Sequence, residues 1–300
     1  MKDVSGRVSH IQRFSTGDGP GIRTTVFLQG CGLRCGWCHN PEAVSSGPTL
    51  LYYPRLCIGC GSCAGVCNSG AHTFADGAHA FDRNLCVTCG NCAGLCPVGA
   101  LVISGAETTA DVVAEIICED MDYYHPDGGV TLSGGEPLQN ARFAAAIAER
   151  CRSRGINVIV DTSACVDFSA VELAAPFTDA FYVDIKCATE DDYRKFTGGS
   201  LERALANLKM MAANNYRVLL RVPLIPGVND APGYFSQIIP RLMSIGLDEA
   251  ALLPFHRLGA QKYAASGIEY AYGGATLADG AAKRIKNEWE NFGFKIKIGG

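Results

Sequence analysis

Three closely spaced cysteines stand near the start of the chain, in the run Cys-Gly-Leu-Arg-Cys-Gly-Trp-Cys. They are Cys31, Cys35 and Cys38, and the chain continues directly into His39. Soft thiolates select iron–sulfur clusters or zinc, and three of them can hold three irons of a [4Fe–4S] cube while the fourth iron stays open to a substrate. Zinc would need a fourth ligand, which His39 could supply, and a disulfide is the weakest alternative.

Eight further cysteines form an internal repeat with an offset of 29 residues, which also aligns Gly70-Ala71 with Gly99-Ala100. Both copies have the spacing C-x₂-C-x₂-C-x₃-C: Cys57, Cys60, Cys63 and Cys67, then Cys86, Cys89, Cys92 and Cys96. A pair of zinc knuckles does not require the third and fourth cysteines at this spacing. The repeat therefore favours iron–sulfur clusters over zinc.

Composition limits the kind of protein that carries these cysteines. The chain has 300 residues, 48% of them hydrophobic, and a net charge of −4. There is no basic field for nucleic acid, no run of about 18 apolar residues that could span a membrane, and no secretory signal at the N-terminus. We therefore expect a globular cytoplasmic protein without a nucleic-acid or membrane partner. Its 15 cysteines then indicate metal or redox chemistry, because cytosolic thiols stay reduced.

Strands alternate with helices from about residue 107 onward. Predicted strands at 129–133, 156–162, 180–186, 216–222 and 250–256 are separated by helices near 108–121, 140–154, 201–213, 232–244 and 276–291. With a strand just before Cys31 they make six β/α units, fewer than the eight of a closed barrel. We therefore predict an α/β fold: a partial, TIM-like (β/α)6 barrel of residues 1–47 and 105–300, with an inserted α+β domain at 48–104. The run 294–298 is expected to add an edge strand.

Polar residues follow the predicted strands, where α/β barrels place their active sites. They are Gly134, Gly135 and Glu136 after the second strand, Asp161 and Thr162 at the third, Asp184 and Lys186 at the fourth, Arg221 at the fifth and His256 at the sixth. Asp184 and Lys186 are two apart, so on a strand they point to one side. The plainer alternatives are an ordinary β-turn at Gly-Gly-Glu-Pro, an ion pair of Lys186 with either aspartate, and a structural role for His256.

Together these motifs resemble those of the glycyl radical enzyme activating enzymes, the relatives of pyruvate formate-lyase activase within the radical S-adenosylmethionine (SAM) superfamily. The motifs are Asp-Gly-Pro-Gly-Ile-Arg at 18–23, the cysteine triplet running into His-Asn-Pro-Glu, Gly-Gly-Glu-Pro, Asp-Thr, Asp-x-Lys, and the surroundings of Arg221 and His256. The resemblance covers nearly the whole chain. The cysteine repeat, in turn, resembles a two-cluster bacterial ferredoxin.

The resemblance implies an enzyme that cleaves SAM reductively at the open iron of the triplet cluster. The resulting 5′-deoxyadenosyl radical would take a hydrogen atom from a glycine of a partner glycyl radical enzyme. One alternative is a radical SAM enzyme that modifies a small molecule or a peptide. Another is an electron-transfer protein, which would leave the open-iron triplet unexplained.

Family likeness also implies roles for individual residues. The candidate catalytic residues are Asp18, Lys186, Arg221 and His256, and the candidate SAM-binding residues are Trp37, Gly134, Gly135, Glu136, Asp161, Asp184, Lys186, Arg221 and His256. A monovalent cation, Na⁺ or K⁺, is expected near Asp161, Thr162 and Asp184. Simple packing over the cluster is the alternative for Trp37.

In two-cluster ferredoxins the fourth cysteine of each run ligates the other cluster. The likeness thus implies one set of Cys57, Cys60, Cys63 and Cys96 and another of Cys86, Cys89, Cys92 and Cys67, so that the chain would hold three [4Fe–4S] clusters. The two additional clusters could relay electrons from a flavodoxin or ferredoxin, or serve docking or stability. Cys118, Cys151, Cys165 and Cys187 have no ligand spacing and are expected to be buried thiols. The histidines His10, His72, His79 and His125 have no context comparable to that of His256.

Overall fold

The computed structural model describes residues 4–75, 78–273 and 275–299. Its strands are β1 Ser5–Ser15, β2 Arg23–Leu28, β3 Thr49–Tyr52, β4 His72–Ala75, β5 Ala78–Phe81, β6 Leu101–Ser104, β7 Ala106–Thr109, β8 Gly129–Gly134, β9 Asn157–Thr162, β10 Ala180–Asp184, β11 Val218–Leu224, β12 Glu249–Pro254 and β13 Lys295–Ile298. Nine of these strands form one sheet in the order β13-β12-β11-β10-β9-β8-β2-β1-β7. The fold class is therefore α/β, as predicted.

The helices are α1 Ser62–Gly65, α2 Asn91–Leu95, α3 Ala110–Cys118, α4 Ala141–Ser153, α5 Phe168–Ala174, α6 Glu190–Thr197, α7 Leu201–Ala213, α8 Ile239–Ser244, α9 Ala260–Ser266 and α10 Ala281–Asn291. Three of them, α3, α6 and α7, are N-capped by Thr109, Thr189 and Ser200, whose hydroxyls accept a backbone N–H of the first turn. None of the described helices is long and apolar enough to cross a membrane.

Six strands of the large sheet, β2 and β8 to β12, are parallel neighbours. They correspond to the six predicted strands, and the predicted edge strand is β13, which runs parallel to β12. The antiparallel strands β1 and β7 at the opposite edge were not predicted. The six parallel strands were recognisable because helices cover them: Val130 and Leu132 of β8, for example, are fully buried.

One predicted helix is broken in the structure. The pattern at 232–244 forms a 3₁₀ turn, Tyr234–Gln237, followed by α8. Pro240 lies in the first turn of α8, where its missing N–H is tolerated, but a continuous helix through this position would lose a hydrogen bond. The prediction of one helix here was wrong for that reason.

The segment 48–104 contains two antiparallel two-stranded sheets, β3–β6 and β4–β5, and the short helices α1 and α2. The 29-residue offset that relates the cysteines also relates the strand registers. Phe74 lies opposite His79 in one sheet, and Ile103 lies opposite Leu50 in the other. The segment therefore has an approximate twofold symmetry, in which β3 corresponds to β5 and β4 to β6.

Candidate active site at the strand ends

A cavity of about 810 Å³ opens where β8 to β12 end, next to the loop that follows β2. With one exception, every residue predicted for the triplet, for SAM and for catalysis lines this cavity. The exception is Glu136, which is 4% exposed and lies behind the wall. The structure thus brings together residues that are up to 238 positions apart, from Asp18 to His256.

Strand register explains why the charged side chains converge. Asp161 of β9 lies opposite Tyr182 of β10, and Asp184 lies opposite Arg221 of β11. Residues opposite each other in neighbouring strands place their side chains on one face, and so do residues two apart on a strand. Asp161, Asp184 and Arg221 therefore all point to the face that borders the cavity.

The Asp161 side chain is 16% exposed, and only half of its carboxylate is satisfied. Its Oδ2 accepts hydrogen bonds from Ser133 Oγ at 3.0 Å and from Arg221 Nη1 at 3.3 Å. Within the described residues, Asp161 Oδ1 and Arg221 Nε have no hydrogen-bond partner although both are buried. Burial raises the pKa of Asp161 to about 6, against the opposing effect of the Arg221 charge. A buried oxygen of this kind calls for a cation or a ligand donor.

Lys186 forms an ion pair with Asp184, with 2.7 Å between Nζ and Oδ2. Burial disfavours the ammonium, but the charge and hydrogen bond of Asp184 together with the charges of Cys35 and Cys31 outweigh it and hold the pKa of Lys186 well above its usual value. Lys186 is therefore a cation at the cavity wall at any ordinary pH. Of the two aspartates considered as partners for this lysine, the structure selects Asp184.

Glu136 fixes the end of β9 instead of facing the cavity. Its Oε1 accepts from Thr162 Oγ1 at 2.7 Å and from the Leu138 amide at 3.1 Å. Its Oε2 accepts from the amide and the hydroxyl of Ser163 at 2.9 and 2.6 Å. Because it accepts four hydrogen bonds, the Glu136 carboxylate has no oxygen left to bind a ligand in the cavity. The Thr162 hydroxyl already donates its proton to Glu136.

Gly134 and Gly135 allow β8 to approach the start of the cysteine loop. Gly134 has a φ of 121°, and a Cβ added there would lie 2.2 Å from the backbone nitrogen of Leu28. A Cβ at Gly135 would lie 2.2 Å from the carbonyl oxygen of Gly30. Any side chain at either position would push the backbone before Cys31 out of place.

The triplet loop supplies amide donors to its own sulfurs. The Leu33 amide lies 3.3 Å from Cys31 Sγ, and the Asn40 amide lies 3.4 Å from Cys38 Sγ. Burial raises the pKa of Cys31 and Cys38 to about 11 and that of Cys35 to about 12. These three thiols ionise poorly by themselves, yet amide N–H groups point at two of their sulfurs. Both features fit thiolate ligands whose charge a bound metal neutralises.

Zinc is not supported at the triplet. His39 Nε2 lies 3.1 Å from the His256 carbonyl oxygen, and the two rings stack at 4.3 Å. In the described parts of the chain, the cysteine, histidine and carboxylate groups close enough to surround one ion do not include any triplet member.

His256 itself is exposed at the rim, whereas Trp37 is 5% exposed and packs edge-on against Tyr272 at 6.0 Å.

Asp18 lies in the loop before β2 and borders the cavity. Its Oδ2 accepts hydrogen bonds from the hydroxyls of Ser15 and Thr25, the latter at 2.8 Å. Its backbone oxygen accepts from Thr131 Oγ1 at 2.8 Å. These contacts tie the Asp-Gly-Pro-Gly loop to β2 and β8, so the loop has a fixed position beside the strand ends.

The repeat cysteines form a second site. A separate cavity is lined by Cys57, Cys60, Cys63 and Cys96, which combines three cysteines of the first copy with the last of the second. All 15 cysteines are free, so no disulfide is present in the structure. Among the remaining cysteines, Cys151 and Cys187 are buried, whereas Cys118 and Cys165 are only partly buried, contrary to the prediction.

Sequence comparisons agree with this geometry. Residues 17–174 match the family described as "4Fe-4S single cluster domain". The chain is 36% identical over 300 residues to the trans-4-hydroxy-L-proline dehydratase activating enzyme of Clostridioides difficile, covering 98% of this chain and 99% of that one. It is also 36% identical over 280 residues to the 4-hydroxyphenylacetate decarboxylase activating enzyme of C. difficile strain CD196, covering 91% and 89%.

The chain belongs to the glycyl radical enzyme activating enzymes. It is accordingly an enzyme of radical SAM chemistry with an iron–sulfur centre. Among solved structures, Streptococcus suis SuiB bound to the precursor peptide SuiA superposes with a TM-score of 0.54 at 12% identity, over 90% of this activase and 46% of SuiB. At that identity the likeness shows a shared fold only.

Sequence reasoning missed one polar contact of this activase site. Lys262 of α9 lies 2.7 Å from Asn40 Oδ1 and 2.7 Å from Glu42 Oε1, so it holds the stretch after Cys38. Lys262 also lines the cavity. The sequence gives little sign of this contact, because 220 residues separate the lysine from its partners.

Proposed function

We propose that the 810 Å³ cavity is the SAM and substrate site of this activase, with a [4Fe–4S] cluster held by Cys31, Cys35 and Cys38. The observation that carries the proposal is that three thiols, two of which receive an amide N–H, and the charged side chains of Asp161, Asp184, Lys186 and Arg221 meet at one opening. When bound, the cluster and SAM supply the reductive cleavage that produces the hydrogen-abstracting radical. The chain's own residues bind and orient SAM and the substrate, and they exclude water from the site.

The charged residues divide into two roles. Arg221 and Lys186 are the cations that face the cavity from the strand ends, and a forked guanidinium suits the carboxylate or ribose of SAM. Asp161 and Asp184 would hold a monovalent cation, Na⁺ or K⁺, and the unpartnered Asp161 Oδ1 supports this assignment. Glu136 and Thr162 act by positioning β9, because their oxygens are already occupied by contacts within the protein.

The substrate we propose is a glycine in a loop of a partner glycyl radical enzyme. Two apolar side chains at the cavity, Phe14 and Leu258, are 51% and 81% exposed. Exposed apolar groups at an open rim suit contact with another protein better than they suit a small polar substrate. Since the relatives above are named for activating hydroxyproline dehydratase and 4-hydroxyphenylacetate decarboxylase, enzymes of these two kinds are the first partners to test.

For the architecture, we propose that residues 1–47 and 105–300 form a partial (β/α)6 barrel and that 48–104 is a ferredoxin-like domain. Its clusters would be held by Cys57, Cys60, Cys63 and Cys96, and by Cys86, Cys89, Cys92 and Cys67. The first of these sets lines one cavity, and the strand register that repeats at an offset of 29 residues supports the pseudo-symmetric second set. Three clusters would then be present, with flavodoxin or ferredoxin as the electron donor.

The test is an anaerobic activation assay. The protein is loaded with iron and sulfide and incubated with reductant, SAM and each candidate partner, and the EPR spectrum and released 5′-deoxyadenosine are recorded. We expect a glycyl radical doublet with one partner, lost in Cys35→Ala and retained in Cys118→Ala, a control at a partly buried cysteine outside the predicted ligand sets. SAM cleavage without a protein radical for any partner would instead favour a small-molecule or peptide substrate.

A further inference from the structure

Two histidines, His72 and His79, lie beside the first set of repeat cysteines. His79 Nδ1 is 3.6 Å from Cys57 Sγ, and His79 Nε2 is 3.7 Å from Cys63 Sγ. His72 Nδ1 is 3.0 Å from His79 Nε2. The His79 ring thus contacts two of the four cysteines of this set, and His72 contacts its Nε2.

The partners of each nitrogen define where the protons lie. A ligand thiolate can only accept a hydrogen bond, whereas a neutral imidazole has one N–H and one acceptor nitrogen. If Nδ1–H of His79 donates to Cys57, then its Nε2 is an acceptor and receives the Nδ1–H of His72. The chain His72 to His79 to Cys57 therefore satisfies each group once, and His72 fixes the tautomer and orientation of His79.

Among the described residues, the symmetry-related position carries no such donor. The 29-residue offset that relates the two sheets places Leu50 where the first site has His79, since the pair Phe74–His79 corresponds to Ile103–Leu50. Leu50 is 3% exposed and belongs to the apolar cluster that contains both Cys63 and Cys92. One site therefore has an imidazole N–H beside its cysteines, and the equivalent position of the other has a hydrocarbon side chain.

We propose that His79, held by His72, donates a hydrogen bond to the Cys57 thiolate and so gives the cluster of Cys57, Cys60, Cys63 and Cys96 a higher reduction potential than its symmetry-related partner. Reduction adds negative charge to the cluster and its sulfurs, and an N–H donor stabilises that charge. The inference rests on the proposed assignment of two clusters to residues 48–104. His79 acts on a ligand, and His72 is a positioning residue.

The test is an EPR-monitored redox titration of the full-length protein. Cys31, Cys35 and Cys38 are replaced by Ala, so that only the two repeat clusters contribute. We expect two midpoint potentials. His79→Leu places at this position the residue type of its counterpart Leu50. It should reduce the equilibrium constant for reduction of the higher-potential cluster about tenfold, which lowers that midpoint potential by about 59 mV for one electron, and it should leave the lower midpoint potential unchanged.

Two further variants make the test specific. His79→Gln keeps an N–H donor and should restore part of the lost potential, while His72→Leu should lower the same midpoint by less than His79→Leu does. Unchanged midpoints in His79→Leu, with iron and sulfide contents still equal to two clusters, would overturn the role of His79. Iron for a single cluster before any histidine is changed would instead overturn the two-cluster assignment.

Discussion

Asp161 combines two features that rarely coexist: its Oδ1 atom is buried, and that oxygen has no hydrogen-bond partner among the described residues. Its other oxygen is shared by Ser133 and Arg221. The free protein therefore bears an electrostatic cost at this position, and a bound cation or ligand donor would remove it. The residue is arranged for a state in which something else is bound.

This cost predicts how Asp161→Asn changes stability. The folded-state pKa, about 6, lies above the usual value of 3.8, so ionisation destabilises the fold. The penalty is absent below about pH 4 and complete above about pH 6 to 7. Without added Na⁺ or K⁺, Asp161→Asn should raise the free energy of unfolding at pH 8 by up to about 3 kcal/mol and leave it unchanged at pH 4.

Chemical denaturation of the metal-free protein at both pH values measures this difference, with the exposed Asp127→Asn as the control. K⁺ or Na⁺ should also stabilise the unmodified protein at pH 8 and have no specific effect on Asp161→Asn. A loss of stability in Asp161→Asn at pH 8 would show that the aspartate is needed as a structural partner of Arg221.

At the scale of single residues, the sequence predicted which residues lie at the site better than it predicted the contacts of their side chains. Asp161 and Asp184 were recognisable because they lie at the ends of buried strands, whereas Lys186, predicted within the strand 180–186, lies two residues after β10 ends. The direction of Glu136 was not, because it depends on Ser163 and on the turn at Ala164, which has a φ of 54°. Such a turn leaves no pattern in the sequence. The sequence could therefore place the Glu136 carboxylate near the site, but it could not show that this carboxylate binds the residues at the end of β9.

The elements that sequence reasoning found share a regular pattern of burial. The strands are buried on both faces, and the helices are buried on one face. Strands β8 to β12 read as apolar runs for this reason. Strand β1 was missed because most of its 11 residues are partly or fully exposed, and its polar composition resembles a loop. Helix α6 was missed because its sequence, Glu-Asp-Asp-Tyr-Arg-Lys-Phe-Thr, has only two buried residues.

The close approach of β8 to β2 gives a prediction about these elements. Gly134→Ala adds a Cβ against the Leu28 backbone and also places alanine at positive φ, so we expect a loss of roughly 2–5 kcal/mol in unfolding free energy. Gly155→Ala is the matched control, because its φ is 76° but nothing lies within 4 Å of the added Cβ. It should cost only about 1 kcal/mol.

Urea denaturation of both variants separates the two contributions. Equal losses would mean that the strand ends relax to accept a side chain, and that the glycine is required for its conformation alone. A larger loss for Gly134→Ala would show that contact between the two strand ends is the stricter demand.

At the scale of the whole molecule, α9 connects the segment 48–104 to the triplet loop. Arg83 donates to the Leu50 carbonyl at 2.9 Å and also to the carbonyl of Ala265 in α9. Lys262 of the same helix binds Asn40 and Glu42 after the triplet. One helix thus holds both cysteine regions, which fixes their mutual position independently of any partner protein.

A fixed position suits electron relay, and relay makes a specific prediction. Cys60→Ala or Cys89→Ala should slow glycyl radical formation strongly when reduced flavodoxin or ferredoxin is the donor. With a strong chemical reductant that reaches the triplet cluster directly, most of the rate should remain. The measurement is the rate of growth of the EPR doublet with each reductant, and an equal loss in both assays would assign the repeat clusters to docking or stability.

Strands β2 and β8 are partners in the sheet, yet 100 residues lie between Leu28 and Gly129. A ribosome that adds about 5–20 residues per second makes β8 some 5–20 s after β2. During that interval β1 can cover one edge of β2 by antiparallel pairing, while the other edge of this largely buried strand has no partner. An uncovered apolar strand edge is a site for aggregation. Synthesis, more than the folded state, is therefore the stage at which this chain is most vulnerable.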